Sequence, residues 1–386
     1  MRILTLATLF PNAARPNFGI FVERQTAALA AREGVDVTVI SPQAVPPWPL
    51  SRHPRYRSIA ALPPHESWRG LDVHRPQFLH LPAIGSHWQP RLLARAVLPL
   101  VRSLHAQNPF DLIDAEFFYP DGPAARIIGK DLGLPYSVKA RGADIHHWGH
   151  APKTRGMVLQ AGCEAAGLLA VSAVLKADMI ALGMPGDAIS VHYTGCDQQR
   201  FAPRDGSDLR AELGIDGPML ISVGALIPRK RQHLIIEALP LLPGAKLVLA
   251  GAGESEAGYR ALAAKLGVDN RVIFAGSLPH DDLPRWLAAS DVMVLPSKSE
   301  GLANAWVESL ACGTPIVICH AGGAAELLTN PVAGSIAQPH PSALADAING
   351  ILAARPDSAA VRQCVARFSW ERNAAELHQH FERIVA

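Results

Sequence analysis

The feature that most constrains the fold is an alternation of short apolar strands with helical segments, which runs through the chain twice. A strand over 2–9, a helix over 20–32 and a strand over 35–40 make the first strand–helix–strand unit. Strands joined in this way lie parallel in one sheet, since the helix carries the chain back to the starting edge. Further strands are predicted at 112–114, 136–139, 168–171, 219–223, 246–250, 272–275, 292–295 and 315–318.

Two doubly wound α/β domains account for this pattern, the first over residues 1–200 and the second over 201–369. The length of 386 residues agrees, because a single core rarely serves much more than about 250–300 residues. In open parallel sheets a ligand binds beyond the carboxyl ends of the strands. We therefore expect the functional residues in the loops that follow the strands.

Two segments of the first domain are less regular. Residues 41–90 are dense in Pro, Trp, His and Arg without clear periodicity, which predicts irregular loops. Apolar residues recur at helical spacing over 89–106, with Arg91, Arg95 and Arg102 on other faces. Such a helix can pack on its own sheet, which is the commoner case, or lie on a membrane.

Composition sets the class and the expected compartment. Hydrophobic residues are 49% and charged residues 18% of the chain, which excludes disorder. Five cysteines without a Cys-x-x-Cys pair favour a reducing, cytoplasmic location. The apolar start ends at Pro11, too early for a signal peptide, and no run reaches the ~18–20 residues of a membrane span. Residues 1–200 carry 20 Lys+Arg against 15 Asp+Glu, which suits an anionic or membrane-surface partner or is ordinary scatter.

Two tempting ligand motifs are incomplete. His146, His147 and His150 lack a carboxylate or cysteine set at metal-binding spacing, so no metal is expected. Gly251 and Gly253 begin a pattern like that of dinucleotide-binding proteins, but Glu256 stands where the third glycine would be. A nicotinamide oxidoreductase is therefore disfavoured.

The segment 295–315 places two glutamates, a glycine and the start of a helix directly after a strand. A strand ends at Leu295, a turn carries Glu300 and Gly301, and a helix begins near Asn304. The free N–H groups of a helix start bind anions, and a glycine lets the ligand approach closely. Glu308 lies one turn after Asn304 on the same face. A diphosphate beside sugar hydroxyls would suit this arrangement.

This segment resembles the Glu-x7-Glu signature of retaining glycosyltransferase family 4, and the resemblance covers essentially the whole chain. Residues 289–297 lead into the signature, and Thr314-Pro-Ile-Val317 follows it. The opening residues 10–23 and Tyr119-Pro-Asp-Gly122 are most like exopolysaccharide or teichuronic-acid-type members. Other matching positions are Gly322, Gly323, Glu326, Gly334 and the stretch Phe368-Ser-Trp370-Glu371.

The resemblance implies a GT-B fold, two Rossmann-like domains facing across a cleft. Residues 1–200 would form the acceptor-side domain, completed by a C-terminal helix over 370–386, and 201–369 would bind the nucleotide sugar. The implied reaction moves a sugar from a nucleotide diphosphate sugar to a glycan or lipid-linked acceptor in cell-surface or exopolysaccharide synthesis. It implies neither a cofactor, nor a metal, nor a nucleic-acid partner. It leaves open peripheral contact with the inner membrane face.

The resemblance also implies roles for residues of the second domain. Glu308 would bind the donor ribose, and Glu300 would lie beside the transferred sugar. Lys230 matches the phosphate-binding lysine of a motif that begins at Gly224. Ala225 stands where that motif has an arginine, so either Arg229 or Arg231 would supply the missing positive charge.

In the first domain, Arg141-Gly-Ala-Asp144 stands where relatives show His-Gly-x-Asp. An arginine is always charged and suits a phosphate or carboxylate rather than proton transfer. The catalytic residues implied are Glu300, Lys230, Arg229, Arg141 and Asp144. The donor-binding residues implied are Glu308, Gly301, Leu302, Ala303, Asn304, Gly224, Leu278 and Gly19.

Other functions stay open at this stage. A sugar-nucleotide epimerase of the same fold would isomerise the nucleotide sugar without an acceptor. A phosphorylase of the pyridoxal type would need a Schiff-base lysine, and none is evident. A non-catalytic nucleotide-sugar or polysaccharide-binding protein would retain the fold. This alternative stays open because Ala225 and Arg141 replace an arginine and a histidine of the family's motifs.

Overall fold

The computed structural model describes residues 1–81 and 85–386, apart from the side chain of Arg55. The chain forms two compact units. Unit 1 comprises Met1–Gly195 together with Trp370–Ala386, and unit 2 comprises Cys196–Ser369.

Unit 1 is built on an eight-stranded sheet with the strand order β10-β9-β8-β7-β1-β2-β5-β4, beside a small parallel pair of β3 and β6. Neighbouring strands of the large sheet are parallel, except that β4 and β5 form an antiparallel hairpin. The strands are β1 (Arg2–Leu6), β2 (Asp36–Ile40), β3 (Gln43–Val45), β4 (His65–Trp68), β5 (Leu71–His74), β6 (Gln77–Leu79), β7 (Leu112–Ala115), β8 (Tyr136–Ala140), β9 (Gly167–Ala170) and β10 (Ile189–Val191).

Side chains of β1, which lies inside the large sheet, alternate between two hydrophobic clusters. Leu4 and Leu6 belong to one cluster, whereas Ile3 belongs to the other. Successive residues of a strand point to opposite faces, so both faces of the sheet are covered. The helices of the first part of the chain are α1 (Ile20–Ala30), α2 (Pro54–Ala60), α3 (Gln89–Gln107), α4 (Asp121–Leu132), α5 (Arg155–Cys163) and α6 (Ala173–Leu182).

The prediction of irregular loops over 41–90 is wrong for the parts of that segment that form α2 and β3–β6; residues 82–84 lie outside the described part. The strands escape sequence analysis because they are three or four residues long and β4 is polar and partly exposed. A two-residue turn at Arg69 and Gly70, both with positive φ, joins β4 to β5.

Helix α3 packs inside unit 1. It buries Leu93, Val97 and Val101 in the same cluster as Leu4 and Leu6. Its apolar stripe therefore serves the core, which is the commoner of the two interpretations of this helix.

Unit 2 repeats the design with a six-stranded, all-parallel sheet in the order β13-β12-β11-β14-β15-β16. Its strands are β11 (Met219–Val223), β12 (Lys246–Ala250), β13 (Val272–Gly276), β14 (Val292–Leu295), β15 (Ile316–Cys319) and β16 (Gly334–Ala337). Its helices are α7 (Ser207–Glu212), α8 (His233–Ala238), α9 (Glu256–Lys265), α10 (Leu283–Ala288), α11 (Asn304–Ala311), α12 (Ala324–Leu327), α13 (Pro341–Ala354) and α14 (Ser358–Gln363).

The last helix, α15 (Trp370–Val385), returns to unit 1. Leu377 and Phe381 are fully buried in the cluster that contains Ile3. Within the described residues, no helix combines the length and apolar character that crossing a bilayer requires.

Candidate functional site

Several predicted site residues of unit 2 lie in loops that follow strands. Gly224 directly follows β11, Leu278 lies two residues after β13, and Glu300 lies between β14 and α11. These strands belong to one parallel sheet, so their carboxyl ends share an edge. The resemblance pointed to Gly224 and Leu278, and the structure puts the ends of the strands that they follow in one sheet.

A charged cluster occupies this edge. The Lys230 ammonium donates to Glu300 Oε1 at 2.5 Å, and Arg229 Nη1 lies 3.3 Å from Glu300 Oε2. Arg229 also donates to the carbonyl of Ser299. Of the two arginines that could replace the motif arginine, Arg229 is therefore the one that contacts Glu300. Two cations face one carboxylate, which leaves a net positive charge.

Glu300 stays ionised in this cluster. Burial by itself would raise the pKa of its carboxyl, but Lys230 and then Arg229 outweigh burial and hold that pKa below its usual value. Its side chain is only 9% exposed, so the charge is screened little by water. The site thus holds a fixed negative charge beside fixed positive ones.

Glu308 has a partner that sequence analysis missed. His280 Nε2 lies 2.8 Å from Glu308 Oε1, and both side chains are mostly buried. His280 follows β13 in the same loop as Leu278. Its position after a strand end was the available signal, but one histidine in a loop is not distinctive in a sequence.

The start of α11 is shaped by glycines. Ala303 is the N-cap and Leu302 is buried just before it. The first amides of a helix have no carbonyl partner inside it, so the amides from Leu302 to Asn304 can bind an anion. The carbonyl of Gly301 accepts from Gly323 N at 2.7 Å. A second glycine, Gly322, lies so close to the same turn that a Cβ on it would come within 2.3 Å of the carbonyl oxygens of Glu300 and Gly301.

The glycines after β12 have a packing role. A Cβ on Gly251 would lie 1.9 Å from the carbonyl oxygen of Gly224, and one on Gly253 would lie 2.2 Å from that of Leu226. The two loops are also joined by hydrogen bonds, including Leu226 N to Ala252 O at 3.0 Å. These glycines let the backbones touch, which explains the incomplete dinucleotide pattern.

Arg141 lies in unit 1, and its charge is already paired. Its guanidinium bonds the carboxylate of Glu116 and donates from Nε to the Glu116 carbonyl at 2.9 Å. The guanidinium carbon also lies 4.7 Å from the centre of the Phe21 ring. Its side chain is 6% exposed, so the arginine forms a buried ion pair in the observed arrangement.

A buried polar network continues from this ion pair. Gln25 bonds Glu116, Lys139 Nζ donates to Gln25 Oε1 at 2.5 Å, and Lys139 Nζ lies 2.9 Å from His192 Nδ1. Burial, followed by the charge of Arg141, lowers the pKa of Lys139 to about 7. Burial also lowers the pKa of His192 well below its usual value, so its neutral ring accepts from Lys139. None of Gln25, Glu116, Lys139 and His192 was predicted from the sequence.

Asp144 and Gly19 shape loops of unit 1. The Asp144 carboxylate accepts backbone N–H groups of Phe118, Arg141, Gly142 and Ile145. Burial raises its pKa, although these bonds partly offset the effect. Gly19 caps α1 with φ of 74°, and a Cβ there would lie 2.4 Å from the carbonyl oxygen of Leu9.

Each unit contains at least one cavity. A cavity of about 250 Å³ in unit 1 is lined by Asn12, Arg15, Phe18, Gln43, Tyr56 and His80, among others. A larger one of about 750 Å³ in unit 2 is lined by residues that precede strands, such as Pro218, Asp291 and Pro315. The larger cavity contains none of the predicted site residues and lies where strands begin. Cavity size therefore does not single out the predicted site.

The two halves of the chain match models of known families. Residues 19–195 match the glycosyl transferase 4-like domain, and residues 207–384 match the glycosyl transferases group 1. The chain belongs to the glycosyltransferases, with a 4-like domain in its first half and a group 1 domain in its second. Both models describe glycosyltransferases, so the matches do not favour the epimerase or the non-catalytic alternative.

Similar proteins agree with this assignment over the full length. A Bacillus subtilis protein named as a glycosyltransferase of teichuronic acid biosynthesis, TuaC, is 28% identical, with 100% of this chain and 99% of that protein covered. Among solved structures, sucrose-phosphate synthase from Thermosynechococcus elongatus has a TM-score of 0.82 at 22% identity, covering 99% of this chain and 98% of that one. Anabaena HepE in complex with UDP and glucose has a TM-score of 0.77 at 22% identity, with 99% of each chain covered. These glycosyltransferase structures confirm the GT-B fold.

Proposed function

We propose that this glycosyltransferase moves a sugar, with retention of configuration and without a metal ion, from a nucleoside diphosphate sugar to a glycan or lipid-linked acceptor. The observation that carries the proposal is the Lys230–Glu300–Arg229 cluster beside the start of α11. The name of the TuaC relative supports a cell-surface polysaccharide as the product. The HepE complexes with UDP and UDP-glucose make UDP-glucose the first donor to test.

The charges suit the two ends of the breaking bond. As the sugar–phosphate bond breaks, the anomeric carbon gains positive charge and the diphosphate gains negative charge. Lys230, Arg229 and the amides of the α11 start would stabilise the leaving diphosphate, and the Glu300 carboxylate would stabilise the sugar. Preorganised charges of this kind act without a metal. The acceptor hydroxyl would attack from the face that the diphosphate leaves, and its proton would pass to the leaving phosphate oxygen.

The Glu308–His280 pair would hold the nucleoside. A carboxylate accepts hydrogen bonds from two adjacent hydroxyls, as on a ribose. His280 keeps the carboxylate oriented through its 2.8 Å contact with Oε1, and Leu278 lies two residues before His280. These contacts act equally in the ground and transition states, so they serve affinity more than rate.

Unit 1 would bind the acceptor. Its 250 Å³ cavity combines the aromatic rings of Phe18 and Tyr56 with the amides of Asn12 and Gln43. Aromatic rings stack on sugar faces and amides bond hydroxyls, while Arg15 suits a phosphate or carboxylate group. An acidic or phosphorylated glycan fits this lining. The exposed tryptophans Trp48 and Trp88 of unit 1 support peripheral contact with the inner membrane face, where a lipid-linked acceptor would reside.

The experiment that tests the proposal compares three variants in a UDP-release assay. Lys230→Ala should lower kcat by about 10²–10³, the usual cost of losing one charge stabiliser. Glu308→Gln should mainly raise KM for the donor. Lys298→Ala is the matched control, because this exposed lysine lies in the same loop as Glu300 and should leave turnover unchanged.

Two further measurements decide the finer points. NMR of the product should show the donor's anomeric configuration, and chelator should leave turnover intact. Wild-type turnover in both Lys230→Ala and Glu308→Gln, with circular dichroism confirming folded protein, would refute the site assignment.

A further inference from the structure

The edge hairpin of unit 1 carries three metal-ligating side chains on one face. His65 lies on β4, and Asp72 and His74 lie on β5. His65 is the direct cross-strand partner of His74, and Asp72 precedes His74 by two residues, so all three point to the same side of the hairpin. The sequence offered no spacing motif, because the register of the hairpin brings the residues together.

Their ligand atoms are already close. His65 Nε2 lies 2.6 Å from Asp72 Oδ1, and His74 Nε2 lies 3.5 Å from Asp72 Oδ2. One ligand atom from each residue lies within 4.8 Å of the other two. In a tetrahedral zinc site, ligand atoms lie about 3.3 Å apart. Small side-chain rotations would therefore bring the three atoms to coordination distance.

The scaffold under these side chains is fixed. β5 is paired on both sides, with β2 and with β4. On the opposite face of the hairpin, Arg75 Nε donates to Glu66 Oε1 at 2.5 Å. The Arg69-Gly70 turn sets the register of the two strands. The backbone at Asp72 and His74 is thus held in place, and His65 has the most exposed side chain of the three, at 59%.

We propose that His65, Asp72 and His74 bind one divalent ion of the zinc class and that this ion clips the edge hairpin of unit 1. Two imidazoles and one carboxylate are borderline ligands that suit Zn²⁺, whereas Mg²⁺ and Ca²⁺ require mostly oxygen ligands. Water reaches the exposed side chains of His65 and Asp72 and completes the fourth position. The ion stabilises the hairpin and takes no part in sugar transfer.

The test uses the full-length chain, freed of any affinity tag and stripped with chelator. Zn²⁺ is added and followed by isothermal titration calorimetry and thermal unfolding. We expect one ion per chain and a higher Tm. Co²⁺ as a probe should give the strong visible bands of a four-coordinate ion with nitrogen and oxygen ligands.

The variants His65→Gln and Asp72→Asn should each weaken Zn²⁺ at least about tenfold, since losing a group that merely orients a ligand already costs that much. His87→Gln is the control, because this histidine of unit 1 belongs to no such cluster among residues 1–81 and 85–386. Both hairpin variants should fold without metal, as circular dichroism would show.

Two results would overturn the site: no heat and no Tm change with Zn²⁺ in the wild-type chain, or equal binding by the wild type and both hairpin variants, which means an adventitious ion only. Donor kinetics separate this inference from the proposed function. Loss of Zn²⁺ in the variants with unchanged turnover supports the structural clip, whereas turnover that falls with Zn²⁺ loss contradicts it.

Discussion

At the residue scale, the loop that holds Glu300 depends on a glycine from another segment. Gly322 has φ of 49°, and its missing Cβ would lie 2.3 Å from two carbonyl oxygens of that loop. We predict that Gly322→Ala displaces Glu300, lowers kcat/KM for the donor several-fold, and costs about 1–3 kcal/mol of unfolding free energy. Urea unfolding and donor titration measure the two effects.

Gly350→Ala is the matched control for this substitution. Gly350 lies inside α13, and a Cβ there meets nothing within 4 Å. Alanine at position 350 should raise the free energy of unfolding by about 0.5–1 kcal/mol, because glycine is a poor helix former. Equal effects from both substitutions would show that close packing against the Glu300 loop is unimportant.

Single residues also show what a sequence can and cannot reveal about the site. Glu300 and Glu308 were predicted because a helix start after a strand is recognisable and the family signature is dense around it. Lys230 was predicted through the resemblance of the motif that begins at Gly224. His280 was missed because its role depends on a neighbouring strand end. Glu116 and Lys139 were missed for another reason: nothing in a sequence marks a charge as buried until its partners are known.

At the element scale, the main strands and helices were predictable and one edge was not. The predicted strands at 219–223, 246–250 and 292–295 match the structure residue for residue, and α11 begins at the predicted Asn304. Strands buried on both faces are continuous apolar runs, which are easy to recognise. The β4–β5 hairpin is half-exposed and polar, so its pairing depends on turn geometry rather than on hydrophobicity.

Helix α4 contains two aspartates whose pKa values move in opposite directions. Burial raises the pKa of Asp121 from 3.8 to about 7, although a bond from Thr8 N partly offsets this. At a pH between these two pKa values, Asp121 is protonated in the folded chain and ionised in the unfolded chain. Stability should therefore fall as pH rises from about 4 to 7, by at most about 4 kcal/mol.

We predict that Asp121→Asn removes this pH dependence, because its amide oxygen still accepts from Thr8 and no charge needs burial. The variant should exceed the wild type in unfolding free energy above about pH 7 and equal it near pH 4, measured by urea unfolding at each pH. Asp131→Asn is the control. A bond from Arg102 lowers the pKa of this exposed aspartate, so its small contribution is present at neutral pH and lost on acidification. If the unfolding free energy of Asp121→Asn changed with pH as much as that of the wild type, a group other than Asp121 would be responsible for the pH dependence.

At the scale of the whole molecule, charge and exposed apolar surface are unevenly distributed. Residues 1–200 hold an excess of positive charge, whereas residues 201–386 carry 16 Lys+Arg against 19 Asp+Glu. Trp48 is 74% exposed and Trp88 is 49% exposed, both in unit 1. Arginines follow both tryptophans, at 52 and 57 and at 91 and 95. Tryptophan and arginine together suit an anionic lipid surface.

We predict that the full chain cosediments with phosphatidylglycerol vesicles but not with phosphatidylcholine vesicles, and that salt weakens this binding because it screens the arginines. Replacing Trp48 and Trp88 together by alanine should lower partitioning about tenfold or more, since burying one large apolar side chain contributes about 1.5–3 kcal/mol. Leu241→Ala is the control, because Leu241 is an exposed apolar residue of unit 2. Equal losses in the tryptophan and leucine variants would mean that the lipid contact is nonspecific. Unchanged binding of the tryptophan variant would leave charge alone as the attraction and would contradict insertion of these side chains.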